Sequence, residues 1–174
     1  MLQSAPRSRH HGRVLIRPAT PDDAEATVAI YNAEVTGSDV TFDLVPRTVE
    51  AQRIWLGERS GALEVVVAEL DGAVAGFASL STYRERPAYR TTVEDSVYVD
   101  DGARGRGVGQ ALLAEIVDVA ERRGFHTVIA RIVGGHDASI ALHRACGFDL
   151  VGVEREVGRK FGRWLDVVVM QKML

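Results

Sequence analysis

Arg104-Gly105-Arg106-Gly107-Val108-Gly109 lies between an alternating apolar stretch that ends at Val99 and an amphipathic helix expected to begin near Gln110. A glycine-rich turn that opens a helix presents unpaired backbone N–H groups, aided by the helix dipole, to an anion such as a pyrophosphate. Two arginines add positive charge to this one, so the chemistry implied is recognition of a phosphate-bearing ligand. A phosphate loop of the nucleoside triphosphatase kind needs Gly-Lys-Ser/Thr to reach the terminal phosphates and magnesium; this loop ends Gly109-Gln110-Ala111. A dinucleotide fingerprint needs G-x-G-x-x-G near the first strand of a βαβ unit and an acidic residue ending the next strand. Here Gly105, Gly107 and Gly109 are spaced G-x-G-x-G deep in the chain, and the strand after the helix carries Arg131.

Such a loop has to be held by ordered elements on both sides. Thr91 to Val99 alternates, placing Val93, Val97 and Val99 on one strand face and Glu94, Ser96 and Tyr98 on the other. After the glycines, Leu112, Leu113, Ile116, Val117 and Ala120 recur at helical spacing until Gly124 ends the helix. Upstream, Val14 to Arg17 predicts a short strand. A helix then runs from about Pro21 to Glu34, with Thr20 to cap it, Pro21 at its first position and two aspartates at its positive end. Past a loop through Phe42 and Pro46, Thr48 caps a second helix carrying Ile54, Trp55 and Leu56, which Gly61 ends.

Leu63 to Leu70 and Ala73 to Ser81 read as strands joined at Asp71-Gly72, a pair that accepts positive φ in a tight hairpin. A polar segment from Tyr83 to Arg90 leads into the Glu94 strand. Downstream come a strand from Thr127 to Val133, a helix from Ala138 to Ala145, and strands near Phe148 to Val157 and Trp164 to Lys172.

The 174 residues suit one domain, expected over 13–174 after a frayed tail at 1–12. A net charge of −3 gives no electrostatic reason to expect nucleic acid, which leaves a small molecule or a protein as partner. Met1 to Gly12 lacks the apolar core of a secretory signal, and no segment approaches ~18 uninterrupted apolar residues, so a cytoplasmic protein without a membrane span is expected. Cys146 is the only cysteine, which excludes an internal disulfide and a thiolate metal cluster within the chain; no metal is expected, and Cys146 itself reads as packing.

Arg104, Gly107 and Gly109 match the Gln/Arg-x-x-Gly-x-Gly/Ala signature of the GNAT superfamily of N-acetyltransferases, in the same strand, loop and helix setting. Within that superfamily the chain resembles the phosphinothricin acetyltransferase family from Val14 to Leu174. The resemblance rests on Ile16-Arg17-Pro18-Ala19-Thr20, on Thr41-Phe42 with Pro46 and Thr48, and on Arg86-Pro87-Ala88-Tyr89. It continues through Thr92 to Val99, Ser139-Ile140-Ala141-Leu142-His143 and Lys160 to Asp166.

The resemblance implies an α/β (α+β) GNAT fold, whose mixed, mostly antiparallel twisted sheet of about seven strands is flanked by about four helices and splayed near the acetyl-CoA site. It implies acetyl-CoA as donor, held by the backbone of Val97, Tyr98 and Val99 and by Arg104, Gly105, Arg106, Gly107, Val108, Gly109 and Gln110. His136 stands where the family commonly has an asparagine that binds the pantetheine arm. Acetyl transfer from a thioester to an amine needs a neutral amine, oxyanion stabilisation and a proton for the thiolate. Glu94 occupies the place of the family's catalytic glutamate, and His143 that of a thiolate-protonating acid. An ordinary glutamate titrates near 4.3, so burial or a bridging water has to help Glu94 act as base.

Phe42, Arg84, Arg86, Tyr89, Glu94, Asp95 and Ser96 are the expected acceptor contacts. The acceptor implied is an amino acid of the phosphinothricin, methionine sulfone or methionine sulfoximine type, attacked directly in a ternary complex by what is expected to be a homodimer. Acetylation of another small amine or of a protein N-terminus, and a CoA-binding regulatory module without catalysis, are the other readings open at this level.

Overall fold

The computed structural model describes residues 13–59 and 61–174; the tail expected at 1–12 lies outside the described residues. The elements follow in the order β1 (Leu15–Pro18), α1 (Ala24–Gly37), α2 (Val49–Glu58), β2 (Val65–Leu70), β3 (Ala73–Thr82), β4 (Thr92–Val99), α3 (Val108–Arg122), β5 (Thr127–Val133), α4 (Asp137–Ala145), β6 (Asp149–Lys160) and β7 (Arg163–Met173).

Local chemistry explains most of these boundaries. Asp71 and Gly72 turn β2 into β3 with φ of 55° and 83°, the doubly left-handed geometry of a tight hairpin. The Thr48 hydroxyl accepts the Ala51 N–H at 3.1 Å and so caps α2. At Thr20 the expected roles are reversed. The Asp23 carboxylate accepts the Thr20 N–H at 2.8 Å, and the Thr20 hydroxyl donates to it at 3.3 Å. Pro21–Asp23 is a 3-10 turn, and α1 proper begins only at Ala24. Arg17 is drawn to the same carboxylate at 2.7 Å, tying β1 to that turn.

All seven strands form one sheet in the order β1-β2-β3-β4-β5-β7-β6. Every pairing is antiparallel except that of β4 with β5. That parallel pair registers only at Thr92↔Thr127, Val93↔Val128 and Glu94↔Ile129, so the two strands part beyond Glu94. The splay implied by the resemblance is therefore present. α3 and α4 cover one face, where Leu112, Leu113 and Ile116 meet Val66, Leu80, Val93 and Val128 in the main core. α1 and α2 cover the other, where Ile30, Tyr31, Val35 and Leu56 meet Val65, Val67 and Phe77.

β6 runs three residues past the Val157 end expected from its pattern, because it absorbs a bulge. Pairing steps from Glu154↔Val167 to Gly158↔Leu165, leaving Arg155, Glu156 and Val157 opposite Asp166 alone. Glu156 takes φ of 52° there, and its N–H donates to Asp166 Oδ1 at 2.8 Å.

Candidate active site

α3 begins two residues earlier than the apolar pattern implies, at Val108, with Gly107 as N-cap in the left-handed region at φ 83°. The Ala111 N–H makes the first helical bond, to the Gly107 carbonyl at 3.0 Å. The N–H groups of Val108, Gly109 and Gln110 thus lack an acceptor within the helix. Gly105 also needs positive φ, at 73°. Gly109 serves close packing instead, since a Cβ there would sit 3.3 Å from Leu142 Cδ2 on α4. The two arginines of the loop are paired with carboxylates of the protein. Arg104 meets Glu34 at 2.5 Å and Asp101 at 2.8 Å, and Arg106 meets Asp71 at 2.8 Å. The anion cradle is therefore mainly main-chain.

This helix start opens onto a cavity of about 440 Å³ that occupies the gap between β4 and β5, within the ordinary size range of small-molecule sites. Asp95, Ser96, Val97, Tyr98 and Val99 line one wall, and Ala130 to Val133 the other. Glu34 and Val40 reach it from the α1 side; His136, Ser139 and His143 reach it from the α4 side. Backbone N–H groups alternate in direction along a strand. The Asp100 N–H bonds the Ala75 carbonyl at 2.9 Å, so the Tyr98 N–H also points toward β3, while those of Val97 and Val99 point into the gap. Of the three backbones expected to serve the donor, two present a donor to the slot. The Tyr98 ring is fixed on the α1 side, stacked on Phe77 at 5.1 Å and edge-on to Tyr31 at 5.1 Å.

Glu94 and Asp95, both expected to face the acceptor, lie on opposite faces of β4. Glu94 is half-buried on the α1 side, the last β4 residue still paired to β5. Burial pushes its pKa up against the pull of Arg131. Asp95 is buried on the α4 side, where its Oδ2 meets His143 Nε2 at 3.0 Å. Its side chain is thus committed to α4 rather than aimed at the Glu94 face. The His143 Nδ1–H donates to the Ser139 carbonyl at 2.8 Å, so both ring nitrogens expected to serve the thiolate already have partners. Burial pulls the His143 pKa down, but the hydrogen bond and charge of Asp95 outweigh it and the net shift is upward. His136 is also engaged: its Nε2–H donates to Asp39 Oδ1 at 2.7 Å, while Arg163 holds Oδ2 at 2.6 Å. The His136 bond keeps the Asp39 carboxyl below the usual carboxylate range.

Of the remaining acceptor residues Ser96 lines the slot, and Phe42, Arg84, Arg86 and Tyr89 do not. Arg84, Arg86 and Tyr89 line a separate hollow with Glu85, where the Arg84 guanidinium lies 5.6 Å from the Tyr89 ring centroid. Phe42 packs on β6, over Gly158. Lys160 is buried and donates to the Thr41 carbonyl at 2.8 Å, Trp164 faces outward, and Asp166 closes the β6 bulge. Cys146 is half-buried with its thiol pushed up by burial, as packing requires. Among the described residues no group of three or more His, Cys, Asp or Glu is placed to hold a metal ion, and no helix is long and apolar enough to cross a membrane.

Residues 27–148 match the model of the acetyltransferase (GNAT) family. The chain belongs to that family. It is 39% identical over 165 residues, 92% of this chain and 96% of the relative, to a phosphinothricin N-acetyltransferase of Streptomyces coelicolor. It is likewise 39% identical over 158 residues, 90% of this chain and 92% of the relative, to an L-methionine sulfoximine/L-methionine sulfone acetyltransferase of Pseudomonas aeruginosa. The crystal structure of a GNAT phosphinothricin acetyltransferase from Sinorhizobium meliloti in complex with AcCoA superposes with a TM-score of 0.88 at 40% identity, covering 92% of this chain and 88% of that one.

In this GNAT acetyltransferase the geometry adds residues that sequence reasoning passed over as site residues. Glu34 and Val40 line the slot but lie in α1 and the loop after it, far from the glycine loop in the chain. Arg131 carried a signal: it is the one charged residue in the apolar run Thr127 to Val133. It lies on the Glu94 face, two residues beyond the Ile129 that pairs with Glu94.

Proposed function

We propose that this acetyltransferase transfers the acetyl group of acetyl-CoA to the amino group of a small amino-acid-like acceptor of the phosphinothricin, methionine sulfone or methionine sulfoximine type, by direct attack in a ternary complex. The observation that carries this reading is the slot. β4 leaves β5 at Glu94, and the gap presents the Val97 and Val99 N–H groups and runs to the three free N–H groups at the start of α3.

Those groups fit the donor they would hold. The N–H groups of Val108, Gly109 and Gln110 suit a pyrophosphate, with the helix dipole behind them. β4, β5 and His136 suit the pantetheine arm. When bound, acetyl-CoA supplies an activated acyl carbon with a thiolate as leaving group. Glu94, made more basic by burial, takes a proton from the acceptor ammonium directly or through a water, which frees the nitrogen lone pair. The Val97 and Val99 N–H groups donate to the oxygen on which charge develops. The nitrogen–carbon bond would form as the carbon–sulfur bond breaks; the nitrogen would shed its second proton as the departing sulfur takes one up, and the Asp95–His143 couple on the α4 side is the candidate store for that exchange. In this reading Phe42, over Gly158 on β6, is the acceptor wall, while the loop that carries Arg84, Arg86 and Tyr89 forms its own hollow outside the slot.

The same reading includes a homodimer in the cytoplasm. β6 is an edge strand with Leu150, Val151 and Val153 exposed, an arrangement that a second copy would cover. Thiol release from acetyl-CoA, measured with phosphinothricin, methionine sulfone, methionine sulfoximine, simple amines and an N-terminal peptide, tests the acceptor. The expected result is stimulation confined to the amino-acid analogues. Tight acetyl-CoA binding with no acceptor raising the rate would overturn it.

A further inference from the structure

Three charged side chains, none of them grouped by the sequence pattern, share the α1 face of the sheet. Glu94 on β4 pairs in register with Ile129, and Arg131 follows two residues later on the same face of β5. Glu154 reaches Arg131 from β6. The contact has two points: Arg131 Nη1 donates to Glu154 Oε1 at 3.0 Å, and Nη2 stands 2.6 Å from Oε2. The Arg131 side chain is 29% exposed and that of Glu154 37%, so water screens the pair only in part. Arg131 lines the slot.

We propose that Glu154 is a positioning residue for Glu94: by pairing with the Arg131 guanidinium, it neutralises the cation that would otherwise dominate the field at the base. The inference rests on the reading of Glu94 as general base. A carboxylate beside an unpaired guanidinium is held strongly ionised and accepts a proton poorly. With Glu154 in place, the face presents two carboxylates and one guanidinium, a net negative charge that also favours an ammonium acceptor.

The surrounding charges are few. Glu94 feels Arg131 from β5, Asp95 from its own strand and Glu154 from β6. Arg84, from the β3–β4 loop, acts on Glu154, and Tyr83 acts on Arg131. The Arg131 contact keeps Glu154 below the usual carboxylate range, so Glu154 stays ionised wherever Glu94 titrates.

The test is the pH profile of kcat/KM, together with 13C NMR titration of the Glu94 carboxyl in resting enzyme, which needs no turnover. Glu154→Gln, a conservative change at a partly exposed site, leaves Arg131 unopposed. The Glu94 titration and the acid limb should both move down by about 0.5 to 1 pH unit. Arg131→Met should move both up. In the Arg131→Met background, Glu154→Gln should still move the Glu94 titration down, because the Glu154 charge also reaches Glu94 directly. A Glu94 titration unchanged in Glu154→Gln, with the wild-type acid limb abolished by Glu94→Gln, overturns this inference and leaves the base reading standing. An acid limb that survives Glu94→Gln overturns both.

Discussion

His143 Nε2 and Asp95 Oδ2 lie 3.0 Å apart across the α4 side of the slot, both residues buried, while the His143 Nδ1 lies 2.8 Å from the Ser139 carbonyl oxygen. A carbonyl only accepts, so Nδ1 carries hydrogen, and Nε2 donates to Asp95 when the ring is protonated. Asp95 Oδ1 has no partner among the described residues. The His143 tautomer is thus set by the first turn of α4.

Removing the carboxylate should therefore change the pH dependence of stability. The folded-state pKa of His143 is raised above its unfolded value, with Asp95 overcoming burial. The stabilisation is fully present below pH ~6.5 and is lost as pH rises through the folded value. Asp95→Asn is expected to destabilise by roughly 1–3 kcal/mol below pH ~6.5 and to flatten the decline above it. Urea unfolding of both proteins across pH 5.5 to 8.5, about a unit or more to either side of the ordinary histidine value, checks this. Parallel curves would show that the pair does not hold a proton as described.

Glu94 presents the opposite case, a carboxyl made a weaker acid by burial. As a base it works only when ionised, so the acid limb of kcat/KM should lie above the ordinary glutamate value of about 4.3. Glu94→Gln is expected to lower kcat by about 10²- to 10⁴-fold with little change in acetyl-CoA affinity. Steady-state kinetics with saturating donor decide between this and a purely binding role, in which KM for the acceptor would rise and kcat would hold.

The parts of this fold that depend on a few adjacent residues were readable from the chain alone. Asp71-Gly72 can hardly do anything but turn, and Leu112 through Ala120 place one face of α3 in the core with no knowledge of its neighbours. The parting of β4 from β5 is different. β4 alternates and β5 is an apolar run broken only by Arg131, and neither pattern marks the loss of register after Glu94↔Ile129. Glu94 and Asp95 also show the limit of period-two reasoning. Adjacent carboxylates must face opposite ways, yet which of them meets a helix histidine depends on α4, 48 residues downstream. The Asp39–His136 bond spans 97 residues and leaves no local trace.

Gly107 tests the donor site. Its φ of 83° lies in the left-handed region, and a β-branched side chain there is strained whatever space surrounds it. Gly107→Val should unwind the start of α3 and redirect the Val108, Gly109 and Gln110 N–H groups. Calorimetric titration is expected to show acetyl-CoA binding lost. Micromolar affinity retained by the folded variant would mean that the anion is held elsewhere.

Gly158 tests the acceptor wall without touching the donor. A Cβ at this position would come within 2.4 Å of Phe42 Cε2, a distance no real contact tolerates, so the Phe42 ring must move. That ring is 40% exposed and can swing aside, which keeps the cost to stability small. The acceptor wall proposed for it would be displaced even so. Gly158→Ala is expected to raise KM for the acceptor several-fold while leaving acetyl-CoA affinity unchanged. Phe42→Ala should reproduce the effect, and combining the two should add little, because both act through one ring. An additive double variant, or a Gly158→Ala enzyme with unchanged acceptor KM, would take Phe42 out of the acceptor pocket.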